Sequence, residues 1–298
     1  MKRKLRDLPP ALLMLVPSLA LLGVWTIYPL ARAIDYGHKR CDSTFRNCTD
    51  AGWDRYSQVF QSKQFQDALM VSLKLAVMTV PIGLVLGIGL AVLADKHLKG
   101  IGIFRTIFSS TVATGVAVAS LVWFVLLQPQ IGVLADLLSD WFPKLKNPGL
   151  LNDPDTALPA VALSSIWASL GFTFIIMMAG LQSVPRDLYE SAYVDGAGSF
   201  RRFTNVTLPM LTPSILFVTV VLTTRALQSY GEIALLTQGG PQSTKATTTI
   251  PYLIYGNNSV IHNDIGTKSA AAVLLFLLCL VFAALQFRGF GKRVHYGN

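Results

Sequence analysis

A polar insert, Glu190-Ser-Ala-Tyr-Val-Asp-Gly-Ala-Gly198, lies between two apolar stretches of the chain. It ends with Val206-Thr-Leu208-Pro209, directly before the second apolar stretch. Ser183 and Pro185 precede the insert as a helix-start signal, because a hydroxyl caps free N–H groups and a proline ring suits the first turn. Gly196 then predicts a sharp reversal, since glycine adopts positive φ angles readily. The stretch therefore predicts a short helix, a turn and an entry into the next apolar segment.

The predicted short helix has one apolar stripe. Its apolar residues recur at spacings of one, three and four positions, and they are Leu188, Tyr189, Ala192 and Tyr193. One interpretation is a helix that lies on a membrane surface with this stripe among the lipid headgroups. The other is a helix whose stripe inserts into a groove of a partner protein. Periodicity alone leaves both interpretations open.

The composition is that of a membrane protein. The chain has 298 residues, of which 52% are hydrophobic and only 14% charged. Soluble domains do not carry several charge-poor runs of about twenty residues, which is the length that crosses a bilayer as a helix. We predict an all-α membrane protein with one domain, 11–288, the polar insert at 184–209, and short tails at 1–10 and 289–298. The six predicted transmembrane helices are Ala11–Ala33, Ala68–Ala94, Thr106–Leu127, Ala157–Val184, Met210–Leu236 and Ser269–Phe287.

Lys and Arg residues predict the orientation. Both tails, the loop from Lys96 to Arg105 and the polar insert fall on one side of the membrane and carry most of the basic residues. The positive-inside rule places that side, with both termini, in the cytoplasm of a multi-pass cell-membrane protein. The net charge of +9 comes from residues that flank the spans. It therefore indicates contact with the lipid bilayer and not with nucleic acid.

The fifth predicted span has a polar face. Arg225, Gln228, Ser229 and Glu232 lie at relative positions 0, 3, 4 and 7, which predicts one side of a helix. An arginine inside a bilayer is costly against lipid, so this face should meet protein or water. In one interpretation it lines a translocation path and Arg225 binds an anionic group such as phosphate. In the other, Arg225 and Glu232 form an internal ion pair that holds two helices together.

A pair of tryptophans and a pair of cysteines suggest two further hypotheses, one about substrate binding and one about a disulfide. Trp123 and Trp167, in the third and fourth predicted spans, either stack on a substrate or only pack within the protein. Cys41 and Cys48 share the first external loop, where the predicted compartment is oxidising, so they are a possible disulfide. Cys279 lies in the last apolar span and is interpreted as a packing residue.

The polar insert resembles the cytoplasmic "EAA" loop of permease subunits in binding-protein-dependent ABC importers. In that family Glu-x-Ala is followed by a glycine and, further along, by a branched residue, a spacer and Leu-Pro. The matching positions here are Glu190, Ala192, Gly196, Val206, Leu208 and Pro209, with Ser191 and Val206 as small departures from the family pattern. Thr237-Gln-Gly-Gly-Pro241 is similar to the turn that follows the fifth helix in the carbohydrate-type permeases of this class.

The resemblance implies the fold and the partners. It implies a type I ABC importer transmembrane domain (MetI/MalF-like), in which the insert is a coupling helix that docks into a partner ATPase. The partners implied are a second related permease, an ATP-binding cassette ATPase dimer and an extracytoplasmic substrate-binding protein. ATP and Mg²⁺ would then sit on the ATPase, and this chain would hold no cofactor. The implied coupling residues are Glu190, Ser191, Ala192, Asp195, Gly196, Ala197, Leu208 and Pro209.

The closing segment Phe287–Tyr296 resembles the carboxyl end of permeases from glycerol-3-phosphate or glycerophosphodiester importers, which implies such a substrate. A neutral mono- or oligosaccharide is the alternative. The sequence has no G-x-x-x-x-G-K-[ST] loop and no metal-ligand or nucleophile motif, so we predict a non-catalytic subunit without a metal site. A membrane enzyme acting on lipid headgroups through Arg225 and Glu232 is the rival from another class. An ion-driven transporter fits poorly, because no inverted repeat is visible.

Overall fold

The computed structural model describes residues 8–41, 48–96, 99–129, 131–138, 149–241, 244–257 and 264–290, which are helical apart from one hairpin and the connecting turns. Most of both predicted tails lies outside these residues. Within them, four helices are long and apolar enough to cross a membrane, at Met14–Gly37, Lys63–Ala94, Pro154–Gln182 and Ile265–Gly289. Two bent helix pairs supply two further spans if each pair counts as one, which gives the six predicted spans.

The first span stands apart from the others. It consists of α1 (Leu8–Leu22), a π-helical turn (Gly23–Ile27) and α2 (Tyr28–Gly37). None of its most apolar window is buried within the described structure, and its α2 end packs against the last helix, α15 (Ile265–Phe290). Such exposed apolar surface suits contact with lipid or with another membrane subunit.

One end of the molecule, which we call the hairpin end, carries strands β1 (Lys39–Cys41) and β2 (Cys48–Asp50) and the surface helix α3 (Asp54–Gln61). Buried Arg55 of α3 pairs with Asp264 and donates to Thr267 Oγ1 at 2.8 Å. This links the hairpin end to the start of α15. Removing either partner of this buried ion pair would leave the other charge uncompensated, which is strongly destabilising. The pair therefore fixes how the two elements contact each other.

Helices α4 (Lys63–Ala94) and α8 (Pro154–Gln182) form the centre of the fold. Ser62 caps α4 by accepting a hydrogen bond from the N–H of Phe65. The two helices approach closely at Gly87, where an added Cβ would lie 2.2 Å from Thr173 Cγ2. The absence of a side chain at this position therefore sets the separation of α4 and α8.

The third predicted span is broken. The sequence predicts one helix, Thr106–Leu127, whereas the structure has α5 (Ile101–Ser110), a 3₁₀ turn (Thr111–Ala113) and α6 (Val116–Leu127), with 104° between the two parts. The prediction of a continuous helix is therefore wrong here. The break is explained by a contact with α8. The backbone of Gly171 packs directly against the 3₁₀ turn, since a Cβ added at this glycine would lie 2.2 Å from Thr111 Oγ1.

The fifth predicted span also departs from a single helix. After α9 (Arg186–Val194), the chain forms α10 (Ser199–Arg202), a π-helical turn (Phe203–Thr207), α11 (Leu208–Met210), α12 (Thr212–Leu227) and α13 (Gly231–Leu236). The predicted continuous helix over Met210–Leu236 is wrong, because α12 ends at Leu227. The hydroxyl of Thr249 donates to the carbonyl of Ser229 at 2.8 Å, which satisfies a backbone group that the break frees.

Two short helices complete the described elements. Helix α7 (Val133–Leu138) follows the third span, and α14 (Ile250–Tyr255) lies between α13 and α15. Thr249 caps α14, accepting from the N–H of Tyr252. Helix α14 packs against the first half of α4. There the backbone N–H of buried Ile250 donates to the hydroxyl of buried Ser72 at 3.1 Å. The turn after α13 is thereby held on the hairpin end.

Candidate coupling segment and translocation cavity

Helix α9 begins and ends as the polar insert predicts. Pro185 precedes its first residue, and Asp187 in the first turn complements the positive end of the helix. The chain reverses at Gly196, whose φ of +73° lies in the left-handed region. The N–H of Gly196 donates to the carbonyl of Tyr193 at 3.0 Å, and that of Ala197 to the carbonyl of Ala192 at 2.9 Å. A glycine is required here because of this conformation.

The segment from Arg186 to Phe200 exposes apolar side chains away from the other helices. Tyr193 is 71% exposed, Val194 84% and Phe200 79%. The Glu190 side chain is exposed as well and has no ion pair or hydrogen bond within the residues that the structure describes. An apolar patch beside an unpaired carboxylate is typical of a surface that binds another protein. We call this segment, α9 with the turn to Phe200, the coupling segment.

The coupling segment is attached to the fifth span through its predicted stripe. Tyr189 Oη and Thr207 Oγ1 lie 3.0 Å apart and share a hydrogen bond, and Thr207 is buried. The guanidinium of Arg202 lies over the Tyr193 ring, 5.6 Å from its centroid. The stripe therefore divides: Tyr189 faces the transmembrane helices, whereas Tyr193 is exposed. Leu208 and Pro209 follow directly in α11 and begin the entry into α12.

The remaining predicted coupling residues lie along the same segment. Ser191 is exposed and its hydroxyl donates to the backbone carbonyl of Asp187, one turn earlier. Ala192 and Ala197 are half-buried, and Asp195 is exposed at the end of α9. The structure thus brings Glu190 to Ala197 together on one short helix and its turn, with Leu208 and Pro209 at the base of α12.

A cavity of about 610 Å³ lies where the broken third and fifth spans meet α4 and α8. All four polar residues predicted from the fifth span line it: Arg225, Gln228, Ser229 and Glu232. They lie at the end of α12, in the following turn and at the start of α13. The prediction that they form one face of a single helix is therefore wrong, although all four line the same cavity. We call this space the central cavity.

The charged groups of the central cavity are not paired with each other. Arg225 lies over the ring of Phe172, with its guanidinium carbon 4.8 Å from the centroid. Glu232 instead accepts a hydrogen bond from Ser229 Oγ at 2.9 Å. No ion pair joins Arg225 to Glu232 among the described residues, so the predicted internal pair is not formed in this conformation. An arginine in this position is available to an anion that enters the cavity.

Sequence reasoning missed the rest of the central cavity. Its polar lining also includes Thr114 and Gly115 at the break in the third span, and Ser165 and Ser169 on α8. The Ser165 hydroxyl is buried without a hydrogen-bond partner in the described structure. The Thr-Gly pair inside an apolar run was the available signal, because glycine there marks a break or a close approach.

The two tryptophans do not reach this cavity. Trp123 and Trp167 contact each other edge to face, with ring centroids 6.3 Å apart, and neither is among the cavity-lining residues. Trp123 packs against the core cluster that includes Leu127 and Val161. The structure therefore favours the packing interpretation over substrate stacking.

A second, larger cavity of about 1060 Å³ opens at the hairpin end. It is lined by the first half of α4, the first turns of α8, the turn after α13 and part of α14, and we call it the hairpin-end cavity. Its wall includes Tyr252, and burial raises the pKa of this phenol above its ordinary value. Gly239 and Gly240, of the predicted Gly-Gly-Pro turn, have φ angles of +88° and +106° and also face this space.

Cys48 is disulfide-bonded, Cys41 is its cross-strand partner in the hairpin register, and Cys279 is free. In the part of the chain that the structure describes, no group of three His, Cys, Asp or Glu side chains is arranged to hold a metal ion.

Comparison with known proteins identifies the family. The model of the family described as "Binding-protein-dependent transport system inner membrane component" matches residues 80–296. This match includes the coupling segment and the residues that line the central cavity apart from Leu75 and Thr79. The chain belongs to this family. It is therefore a permease of a binding-protein-dependent ABC importer, and the predicted type I fold is confirmed.

Two relatives and two solved structures are similar along almost the whole chain. The sn-glycerol-3-phosphate transport system permease proteins UgpA of Agrobacterium fabrum and Brucella abortus are 30% and 31% identical, over 96% and 95% of both chains. A chain of a bacterial ABC transporter that imports the acidic polysaccharide alginate aligns with a TM-score of 0.79 at 24% identity, covering 98% of each chain. A chain of the bacterial alginate ABC transporter in complex with an alginate pentasaccharide-bound periplasmic protein aligns with a TM-score of 0.81 at 24% identity. This alignment covers 100% of the present chain and 99% of the other. At this identity the structures establish the fold alone.

Proposed function

We propose that this permease forms a translocation path together with a second, related permease and is moved by a cytoplasmic ATPase dimer that docks on the coupling segment. The observation that carries the proposal is the exposed apolar patch of Tyr193, Val194 and Phe200 beside unpaired Glu190. Glu190 would bind a basic group of the ATPase. ATP and Mg²⁺ would remain on the ATPase, so that this chain works without a cofactor and without catalysis of its own.

Movement would pass from the coupling segment to the central cavity through the fifth span. The Tyr189–Thr207 hydrogen bond attaches α9 to the base of that span, and Arg225 lies near its other end. Rigid-body rocking of helices about a central site is one of the ways in which a local displacement becomes alternating access. A displacement of α9 would thereby change the shape of the space around Arg225.

The orientation belongs to the same proposal. The coupling segment and both termini would face the cytoplasm, and the hairpin end would face the opposite side of the cell membrane. The disulfide at Cys48 supports this orientation, because disulfides persist in oxidising compartments. An extracytoplasmic substrate-binding protein would then deliver solute to the hairpin end.

We propose sn-glycerol-3-phosphate or a glycerophosphodiester as the solute. Arg225 supports this choice, since a guanidinium without an ion-pair partner offers a fork of donors to a phosphate. The names of the relatives point the same way. A neutral sugar carries no negative charge to balance this cation, so it would gain less binding free energy from Arg225 than a phosphate would.

The test is solute-stimulated ATP hydrolysis by the complete importer in lipid vesicles. The purified chain should bring down an ATPase, a second permease and a binding protein. We expect sn-glycerol-3-phosphate or glycerophosphocholine to stimulate hydrolysis, and a panel of neutral sugars to leave it at the basal rate. Stimulation by a neutral sugar alone would refute the proposed substrate, and a chain that transports without any ATPase would refute the proposed mechanism.

A further inference from the structure

The hairpin-end cavity lies at the opposite end of the fold from the coupling segment. Helix α8 runs from this cavity, at Pro154 and Pro159, to Gln182, a short turn before the coupling segment begins at Arg186. Its 29 residues span about 44 Å, roughly the thickness of a membrane with its headgroups. The central cavity meets the same helix between Ser165 and Phe172. The two cavities are therefore ordered one after the other along α8.

Three lysines converge on the hairpin-end cavity: Lys63 and Lys74 from α4, and Lys245 from the turn after α13. Lys63 and Lys74 are eleven positions apart, close to three full turns, so they lie on one face of α4. Their ammonium groups form no ion pair within the described residues, although the carboxylates of Asp67 and Asp155 also line this space. The wall is therefore basic and has free cations.

Lys74 lies within an apolar helix, and its side chain is exposed on the surface of that helix. It is about 16 Å along α4 from Lys63, well inside the longest apolar helix of the chain. A cation at such a depth is costly unless water or a counter-ion reaches it, and a transmembrane cation of this kind usually marks a path or a site. The cavity supplies that access. Leu75 and Thr79, on the neighbouring face of α4, already line the central cavity.

Lys245 reaches the cavity from a constrained backbone. Its φ of +49° lies in the left-handed region, which is uncommon for a residue with a side chain. The turn holds this conformation, because the N–H of Thr248 donates to the Lys245 carbonyl at 3.0 Å. Backbone strain of this kind collects at ligand-binding positions. Lys245 and α4 both line this cavity.

We propose that the hairpin-end cavity is an anion-binding entry site, in which Lys74 and Lys245 hold a phosphate group before it reaches Arg225 in the central cavity. The ligand is a phosphate monoester or diester, either on the transported solute or on a lipid headgroup, and we assign it to the solute. This inference rests on the proposed function for the direction of transport. Lysine suits such a transient site, because its flexible point charge attracts phosphate without fixing its geometry.

The first experiment measures occupancy directly in the complete wild-type importer. Lysines are acylated with a water-soluble reagent, and the modification of Lys74 and Lys245 is quantified by mass spectrometry. We expect inorganic phosphate and sn-glycerol-3-phosphate to protect both residues at least threefold, and glycerol to protect neither. Lys268, which does not line this cavity, is the internal control. Protection of neither lysine, or equal protection of Lys268, would overturn the entry site.

The second experiment separates the solute from lipid. In vesicles, the double variant Lys74→Gln/Lys245→Gln should raise the KM for the phosphorylated solute about tenfold and change kcat less than twofold, whereas Lys268→Gln should change neither. Tenfold corresponds to about 1.4 kcal/mol of lost binding free energy, a modest loss for two lysines, because their flexible point charges hold the phosphate without a fixed geometry. A KM that follows the fraction of anionic lipid in wild type but not in the variant would assign the site to a headgroup and refute the solute. An unchanged KM would also refute it.

Protection by inorganic phosphate does not require uptake of any solute. Failure of the proposed substrate and failure of this site are therefore distinguishable.

Discussion

Arg225 lies over the ring of Phe172 at 4.8 Å, while Glu232, its predicted partner, accepts a hydrogen bond from Ser229 at 2.9 Å. The two charged groups therefore share one cavity without neutralising each other. An aromatic face holds a guanidinium with about 0.5–2 kcal/mol and leaves its N–H donors free. Arg225 is thus positioned and still able to bind an anion.

Replacing Arg225 with Gln should reduce transport of a phosphorylated solute about tenfold to a hundredfold. The reason is that hydrogen bonds to charged groups contribute about 1.5–3 kcal/mol. Uptake into vesicles by the complete importer measures the effect. Arg225→Lys, which keeps the charge but not the fork of donors, should recover part of the activity. A variant that loses uptake of a neutral solute equally would show that Arg225 has only a structural role.

Replacing Glu190 with Ala should leave the protein in the membrane and lower substrate-stimulated ATP hydrolysis. The carboxylate is exposed and has no partner within the described chain, so its removal costs little stability. Asp187→Ala, another exposed acidic residue of α9, is the matched control and should retain most of the stimulation. If Glu190→Ala hydrolyses ATP as fast as wild type in the assembled complex, Glu190 does not take part in docking.

Replacing Tyr189 with Phe should uncouple the coupling segment from the fifth span. The change removes the 3.0 Å hydrogen bond to Thr207 and keeps the ring, so the cost in folding is about 1 kcal/mol. We expect fewer solute molecules transported per ATP hydrolysed, with assembly unchanged. The Tyr193→Phe variant serves as a control, because the Tyr193 hydroxyl has no such hydrogen bond among the described residues. An unchanged ratio of transport to hydrolysis would place the mechanical link elsewhere.

Replacing Gly87 with Ala should destabilise the permease by about 1–3 kcal/mol, because an added Cβ would lie 2.2 Å from Thr173 Cγ2 and push α4 from α8. Gly89→Ala, two positions along the same helix, would place its Cβ more than 4 Å from the neighbouring elements that the structure describes. It should be neutral or slightly stabilising, since alanine favours a helix over glycine. The melting temperatures of the two purified variants compare them directly. A Gly87→Ala protein as stable as Gly89→Ala would contradict the close approach.

The sequence predicted those features that depend on local residues. Hydropathy is read from single windows, so six spans were expected and six are accounted for by four helices and two bent pairs. The turn at Gly196 was expected because few residues other than glycine adopt its φ of +73°. The polar residues from Arg225 to Glu232 were expected to face protein or water, and they line a cavity.

The helix breaks were not predictable from local patterns, because distant residues create them. The turn at Thr111 is packed against Gly171, sixty positions later. The end of α12 is stabilised by Thr249, whose hydroxyl bonds to Ser229 twenty positions earlier. An apolar run with helical periodicity gives no sign of such tertiary contacts. The central cavity exists only because both breaks meet there.

A density map of the assembled importer, with its ATPase bound, tests the central claim most directly. The account predicts that residues 186–200 are buried in a groove of the ATPase, with Tyr193 and Phe200 inside it and Glu190 within hydrogen-bond distance of a basic side chain. A functional complex in which these residues remain surrounded by solvent would contradict the account.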